Sequence, residues 1–270
     1  MQKRSARWAE RAFVAEGAEL IRCALDADIP VESMYVSPDG ADDRAVEEIC
    51  QRAEAAGVRV FPLAAGVLER VADTVTPQPV LAVLPMLDEP VAGSGPWSAH
   101  DGALIVVLVD VRDPGNAGTV LRASDASGSA LVVFAGDSVD PYNPKTVRSS
   151  AGSLFHVPLA VRPDARVLAS ELSGSGFRTL ATVVRDGEDY ADLDWTIPTA
   201  LFLGNESAGL DPGLASALSG ALAIPMAGRA ESLNVGVACA VVCFEAFRQR
   251  RGGGAAPRSI AGGGSDRLGD

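Results

Sequence analysis

From Ala103 onward the chain alternates short, unbroken apolar runs with helix-like segments, and no other feature restricts its possible folds so strongly. Leu104-Ile-Val-Val-Leu-Val109 contains no polar residue, which suits a parallel strand covered on both faces. Apolar spacing then predicts a helix over 118–127 and a strand over 131–134. Further strands are expected near 157–159, 179–184, 200–203 and 222–224, with a last strong helix over 235–249. Such alternation implies an α/β fold, a parallel sheet with helices on both faces.

A smaller α/β unit precedes it. Phe13, Val14, Leu20, Ile21 and Leu25 carry a helical period, so 11–25 is expected to be one helix. Strands are expected at 33–36, 58–63 and 80–84, and a helix over 43–56 closed by Gly57. This gives an N-terminal domain over 1–85, a Pro- and Gly-rich linker over 86–102, a main domain over 103–251 and a Gly-rich disordered tail over 252–270.

Composition removes several function classes. Two histidines and four cysteines, with no C-x-x-C pair, leave no metal-ligand pattern, and no metal is expected. Cys23, Cys50, Cys239 and Cys243 read as reduced core residues. No run of eighteen apolar residues offers a membrane span. The opening MQKRSARWAERAF has charges but no apolar stretch behind them, so no secretory signal is read and the expected location is cytoplasmic. A net charge of −12 argues against nonspecific nucleic-acid binding, because phosphate neutralisation supplies most of that affinity. Short basic clusters at Lys3, Arg4, Arg7 and Arg11 and at Arg248, Arg250 and Arg251 run against the balance.

Ligands in parallel α/β sheets gather at the carboxyl ends of strands. Three strand ends here carry polar, glycine-containing loops. The first is Asp110-Val-Arg-Asp-Pro-Gly-Asn116, running into a helix that bears Arg122. The second is Gly204-Asn205-Glu206-Ser-Ala-Gly209-Leu210, where Gly204 would let backbone approach a ligand. The third runs from Ile224-Pro225-Met226 to Ser232-Leu233-Asn234. Each alone is explained by turns and helix caps. Together in one sheet they suggest a site. Neither G-x-G-x-x-G nor G-x-x-x-x-G-K-[ST] occurs, so dinucleotide binding and P-loop hydrolysis have no motif support.

Taken in order, these three loops resemble the SpoU/TrmH-type RNA ribose 2′-O-methyltransferases of the SPOUT superfamily. The segment Arg148-Ser-Ser-Ala-Gly-Ser-Leu-Phe155 resembles that family's intervening loop. Phe13-Val-Ala-Glu16-Gly17 and Val75 to Val83 resemble its ribosomal-protein-like substrate-binding domain. The resemblance implies a trefoil-knotted main domain, a homodimer whose active site borders the subunit interface, and S-adenosylmethionine as cofactor. It places Arg122, Asn116, Glu206, Ser232 and Asn234 at the reaction. Thr182, Leu203, Gly204, Asn205, Ile224, Met226 and Leu233 would hold the cofactor. Arg122, Arg148, Lys3, Arg4 and Arg7 would meet RNA. The implied substrate is 23S rRNA, with tRNA as an alternative. A noncatalytic RNA-binding protein of the same fold would show broken motif residues, and none is broken. Arg122 as a general base would need a neutral guanidinium, costing roughly 7 kcal/mol at neutral pH. An electrostatic anchor costs far less.

Overall fold

The computed structural model describes residues 3–40, 42–71, 77–88 and 103–252. The N-terminal unit runs α1 (Arg4–Glu10), β1 (Ala12–Glu16), α2 (Ala18–Asp26), β2 (Ser33–Val36), α3 (Arg44–Ala55), β3 (Arg59–Pro62), α4 (Leu68–Val71) and β4 (Val80–Pro85). Its four strands lie in the order β1-β4-β2-β3, with β2 and β3 parallel and the other pairs antiparallel. The expected helix over 11–25 is overturned in its first half. Residues 12–16 alternate, with Phe13 and Ala15 buried and Val14 and Glu16 turned outward, and they pair along the whole of β4. Gly17, at φ 99°, then ends the strand and admits α2, whose buried stripe is Leu20, Ile21 and Ala24. α3 follows expectation: Asp43 accepts from the Ala45 N–H at 2.9 Å, and Gly57 closes the helix at φ 79°.

The main domain runs β5 (Leu104–Val109), α5 (Pro114–Ser127), β6 (Leu131–Ala135), α6 (Pro144–Ser149), β7 (Leu159–Arg162), α7 (Ala165–Gly174), β8 (Arg178–Thr182), β9 (Glu188–Asp189), β10 (Thr199–Leu203), α8 (Pro212–Ala215), β11 (Gly220–Ala223) and α9 (Val235–Gly252). All seven strands pair in parallel, in the order β7-β6-β5-β10-β8-β11-β9. The apolar run of β5 is explained by its two faces. Leu104, Val106 and Leu108 pack with Val120, Leu121 and Val242 of α5 and α9. Ile105, Val107 and Val109 pack with Leu168, Leu172 and Leu214 of α7 and α8. Each such side chain contributes roughly 1.5–3 kcal/mol on burial, more than a surface ion pair supplies. The strand expected at 157–159 forms instead over Leu159–Arg162, and the two-residue β9 has no apolar signal in the sequence.

The two units share one packed core rather than meeting across a loose joint. Phe13 of β1 sits 4.8 Å from Tyr142 and 6.4 Å from Phe155, ring centre to ring centre. The Leu87 N–H donates to Tyr142 Oη at 2.7 Å, and that hydroxyl donates to Asp88 at 3.0 Å. Burial, then the neighbouring Asp88 charge and its hydrogen bond, push the Tyr142 phenol far above its usual range, so it stays a donor. Arg11 holds Asp88 from the other side at 3.0 Å. Thus residues 86–88 of the expected linker are docked; 89–102 and the tail beyond Gly252 lie outside the described residues.

Arg7 corrects the sequence reading. Expected at an RNA face, it is only 2% exposed, and its Nε donates to Asp140 at 2.9 Å. It lies in the seam between the units, where phosphate has no access. Removing one partner of a buried pair strands the other charge, at about 3–5 kcal/mol. Asp140→Ala is therefore expected to lower unfolding free energy by about 3 kcal/mol or more, read by denaturant titration. An unchanged midpoint would show that the pair does not seal the seam.

Candidate active site

The site forms where β5, β10 and β11 end. At the first end, Asp110 adopts φ 57°, and its carbonyl accepts from Asn205 Nδ2 at 2.8 Å. Asp113 then caps α5 by accepting from the Asn116 N–H at 2.8 Å, with Pro114 in the first turn. The helix consequently begins at Pro114, one turn before the expected Gly118, and Asn116 becomes a first-turn residue. Helical geometry puts Arg122 about 9 Å along the axis and about 120° around it from Asn116.

Three loops meet through two amide side chains and one carboxylate. Asn116 Nδ2 donates to Glu206 Oε1 at 2.9 Å. Asn234 Nδ2 donates to Asn116 Oδ1 at 2.8 Å. The Asp113 N–H reaches the same Glu206 oxygen at 3.3 Å. Asn234 also caps α9, its Oδ1 accepting from the Gly236 N–H at 2.9 Å. Partial burial pushes the Glu206 carboxyl up. The hydrogen bond from Asn116 and backbone N–H groups of Glu206, Asp113 and Arg112 more than offset this, holding it below the ordinary glutamate value. At neutral pH Glu206 is a fixed anion beside the N-terminus of α5, where the helix field favours negative charge. A carboxylate with a lowered pKa is a poor base, and the geometry it offers here is a hold on the Asn116 amide.

The second loop folds onto itself. Asn205 and Gly209 exchange backbone hydrogen bonds at 3.0 and 2.9 Å, while Asn205 Oδ1 accepts from the Ser207 and Ala208 N–H groups. A Cβ on Gly204 would lie 2.3 Å from the Gly209 carbonyl carbon and 2.4 Å from the Leu210 nitrogen. Glycine at 204 is thus required by the loop itself, which replaces the expected reason of ligand approach.

The third loop is open. No residue from 224 to 233 makes a backbone–backbone hydrogen bond among the described residues, while Ile224, Met226 and Leu233 are half-buried. Thr182 ends β8 between β10 and β11 and donates to the Phe202 carbonyl at 3.0 Å. Leu203 is buried, leaving only its backbone for a ligand. Free backbone donors and acceptors beside half-buried apolar side chains are the chemistry that a nucleoside-like cofactor needs, an apolar ring system with polar edges. Among the described residues no group of three or more His, Cys, Asp or Glu side chains is disposed to hold a metal. No described helix is long and apolar enough to cross a membrane.

The structure brings together Asn116, Glu206, Asn234 and Asn205 and leaves others apart. Ser232 is exposed and makes no hydrogen bond among the described residues. Arg122 is exposed on α5, without an ion pair among the described residues. Lys3 and Arg4 are exposed at α1, Arg4 lying 6.0 Å from the Trp8 ring. Arg148 is half-buried, 3.5 Å from Glu16. Sequence reading takes Asp113 as part of the first loop and not as the cap of α5, although Asp before Pro is a standard helix-start signal. It also missed Ser149, whose Oγ donates to the Pro114 carbonyl at 2.8 Å. A Cβ on Gly118 would meet that Oγ at 2.0 Å, so the mid-helix glycine was the available clue.

Residues 103–244 match the model of the SpoU rRNA Methylase family, just over half of the chain. The chain belongs to this family. Residues 1–82 match the MRM3-like substrate binding domain. The protein is 34% identical to the 23S rRNA (guanosine(2553)-2′-O)-methyltransferase RlmP of Bacillus subtilis, over 86% of this chain and 87% of that one. The tRNA (guanosine(18)-2′-O)-methyltransferase of Thermus thermophilus is 39% identical over 54% of this chain and 75% of its own. Among solved structures, the AdoMet-bound rRNA methyltransferase from Sinorhizobium meliloti superposes with a TM-score of 0.79 at 31% identity, covering 92% of this chain and 91% of that one.

The lowered Glu206 pKa has a direct consequence. Because the folded carboxyl titrates below the unfolded one, its hydrogen bonds stabilise the site above the ordinary glutamate pKa and are lost as pH falls through the folded value. A ¹³C NMR titration of the Glu206 carboxyl is expected to show a midpoint below 4.5, rising in Asn116→Ala. A midpoint unaffected by that substitution would remove Asn116 from the network.

Proposed function

We propose that the protein transfers the methyl group of S-adenosylmethionine to a ribose 2′-hydroxyl of RNA, with 23S rRNA as its substrate. The bridge from Asn116 to Glu206 and Asn234, set beside the open backbone of 224–233, is the observation that carries this reading. Ribosomal RNA is favoured over tRNA because the relative named for 23S rRNA matches 86% of the chain, against 54% for the one named for tRNA. Residues 1–85 serve as the RNA-binding unit and 103–251 as the methyltransferase domain, joined by 86–102 and followed by a tail over 252–270.

S-adenosylmethionine supplies an activated methyl on a sulfonium, so the chain's own task is geometry and charge. Backbone of Leu203, Gly204, Asn205, Ile224, Met226 and Leu233, with Thr182 behind them, holds the cofactor. Glu206 orients Asn116, and Asn116 with Asn234 and Ser232 borders the reacting hydroxyl. Arg122 meets the phosphate beside that hydroxyl and stabilises negative charge developing on its oxygen. Lys3, Arg4 and Arg148 extend the cationic path.

Arg122 stands apart from the Asn116 network within one chain, and a second copy would bring an enclosing surface to it. α9 packs on α5, yet its outward side exposes Val237 and Phe244, the latter 48%. Apolar surface of this kind supports a homodimer formed on α9, with Arg122 at its edge. Membership of the SpoU family supports a trefoil knot in the same domain. The cytoplasm, which holds both RNA and the methyl donor, is its proposed location.

Incubation with methyl-labelled S-adenosylmethionine and unmodified ribosomal or transfer RNA tests the reading. Label resistant to alkaline cleavage at one ribosomal position is expected; label confined to tRNA, or none, would contradict it. Arg122→Ala is expected to lower turnover by about 10²–10³-fold, the loss seen when one preorganised charge stabiliser is removed, while leaving cofactor affinity within about threefold. Near-normal turnover at saturating RNA would remove Arg122 from the reaction.

A further inference from the structure

The N-terminal sheet has two faces of different chemistry. One carries Phe13, Ala15, Met34 and Ala82 into the core shared with α2, α3 and the main domain. The alternate residues turn away: Val14, Leu81, Val83 and Tyr35 are half-buried and lie outside that core, and Phe61 on the edge strand β3 is 38% exposed. Tyr35 and Phe61 are register partners in the parallel β2–β3 pair. Their rings stack with centroids 5.4 Å apart and an interplanar angle of 25°. Arg59, two residues before Phe61 and on the same face, sets its guanidinium 5.6 Å from the Phe61 ring centre.

Charge on this face is unlike that of the chain as a whole. The molecule carries −12, yet the carboxylate among these outward strand residues, Glu16, lies 3.5 Å from Arg148 and is largely covered. Arg59 has no ion pair among the described residues. Two stacked rings at a sheet edge with an unpaired cation beside them match unpaired nucleobases: every base has a π-face to continue the stack, and its phosphate complements the guanidinium. A protein partner's apolar segment would meet the same rings but would leave the cation without a counter-charge.

We propose that this face, centred on Tyr35, Phe61 and Arg59, is a stacking platform for unpaired bases of the RNA substrate. One base extends the Tyr35–Phe61 stack, and Arg59 contacts the neighbouring phosphate. The proposal rests on the RNA-methylating reading above and locates where its substrate is gripped outside the reaction site.

The test uses the full-length protein and a short single-stranded RNA carrying 2-aminopurine, whose fluorescence is quenched on stacking. Binding is expected to quench it. Phe61→Ala and Tyr35→Ala should each weaken binding about tenfold and abolish the quench, while Phe61→Trp restores both. Arg59→Gln should reduce the slope of log K against log salt by about 0.7. With a methylatable RNA, Phe61→Ala should raise KM and leave kcat unchanged. Wild-type binding without quench, or quench and KM indifferent to Phe61→Ala, would overturn the platform. A KM defect seen only on assembled ribosomal particles, with no quench on free RNA, would assign the face to a protein and equally overturn it. If quench follows the aromatic residues but no RNA is methylated, the platform stands and the methyltransferase reading falls.

Discussion

The hydrogen bond between Asn116 and Glu206 is the constraint on which the site depends. It joins loops that lie 90 residues apart in sequence, and through Asn234 it reaches a third. The Asn205 amide on the Asp110 carbonyl also ties the first two loops, but the Asn116–Glu206 bond is the one that continues to Asn234 and so to the third. Its strength comes from charge: an ionised carboxylate accepts from an amide and from the N–H of Asp113, the residue that caps α5, where the helix field already favours an anion. A bond of that kind contributes roughly 1.5–3 kcal/mol. Through Asn234 the bridge holds the end of the third loop, whose own backbone over 224–233 is unpaired among the described residues.

The rest of the molecule supports this bridge from behind. Ser149 of α6 occupies the space left by Gly118 and holds the Pro114 carbonyl, so the first turn of α5 cannot slide. The residue before it in sequence, Arg148, lies against Glu16 of the N-terminal unit. The same unit is locked to the main domain by Phe13, Tyr142, Asp88 and the buried Arg7–Asp140 pair. The proposed RNA-binding unit and the proposed reaction site are thus held at a fixed distance, and rigid placement of substrate relative to catalytic groups is a major source of rate enhancement.

Much of this was legible in the sequence, and the failures have physical causes. The β5 run declared a doubly covered parallel strand because no polar residue interrupts it, and the structure places it third of seven, between β6 and β10. The convergence of three strand-end loops was legible from the parallel sheet; Asn116, Glu206 and Asn234 were singled out by the resemblance, and the structure brings these three side chains together while leaving Ser232 and Arg122 apart. What was lost was lost to tertiary effects. Residues 12–16 carry a helical period that overlaps a strand period, and only pairing with β4 decides between them. Arg7 sits in a basic cluster, and nothing local reveals that Asp140, 133 residues away, buries it. Gly204 was read as room for a ligand, when the room is needed for Gly209 and Leu210.

A double-mutant cycle on Asn116→Ala and Glu206→Ala, read through S-adenosylmethionine affinity by calorimetry, tests the central claim most directly. If the bridge organises the site, the two substitutions together should cost less than the sum of each alone, with a coupling of about 1–2 kcal/mol. Additive effects, with no coupling beyond about 0.3 kcal/mol, would mean that the two side chains act independently and that something other than this bridge holds the three loops together.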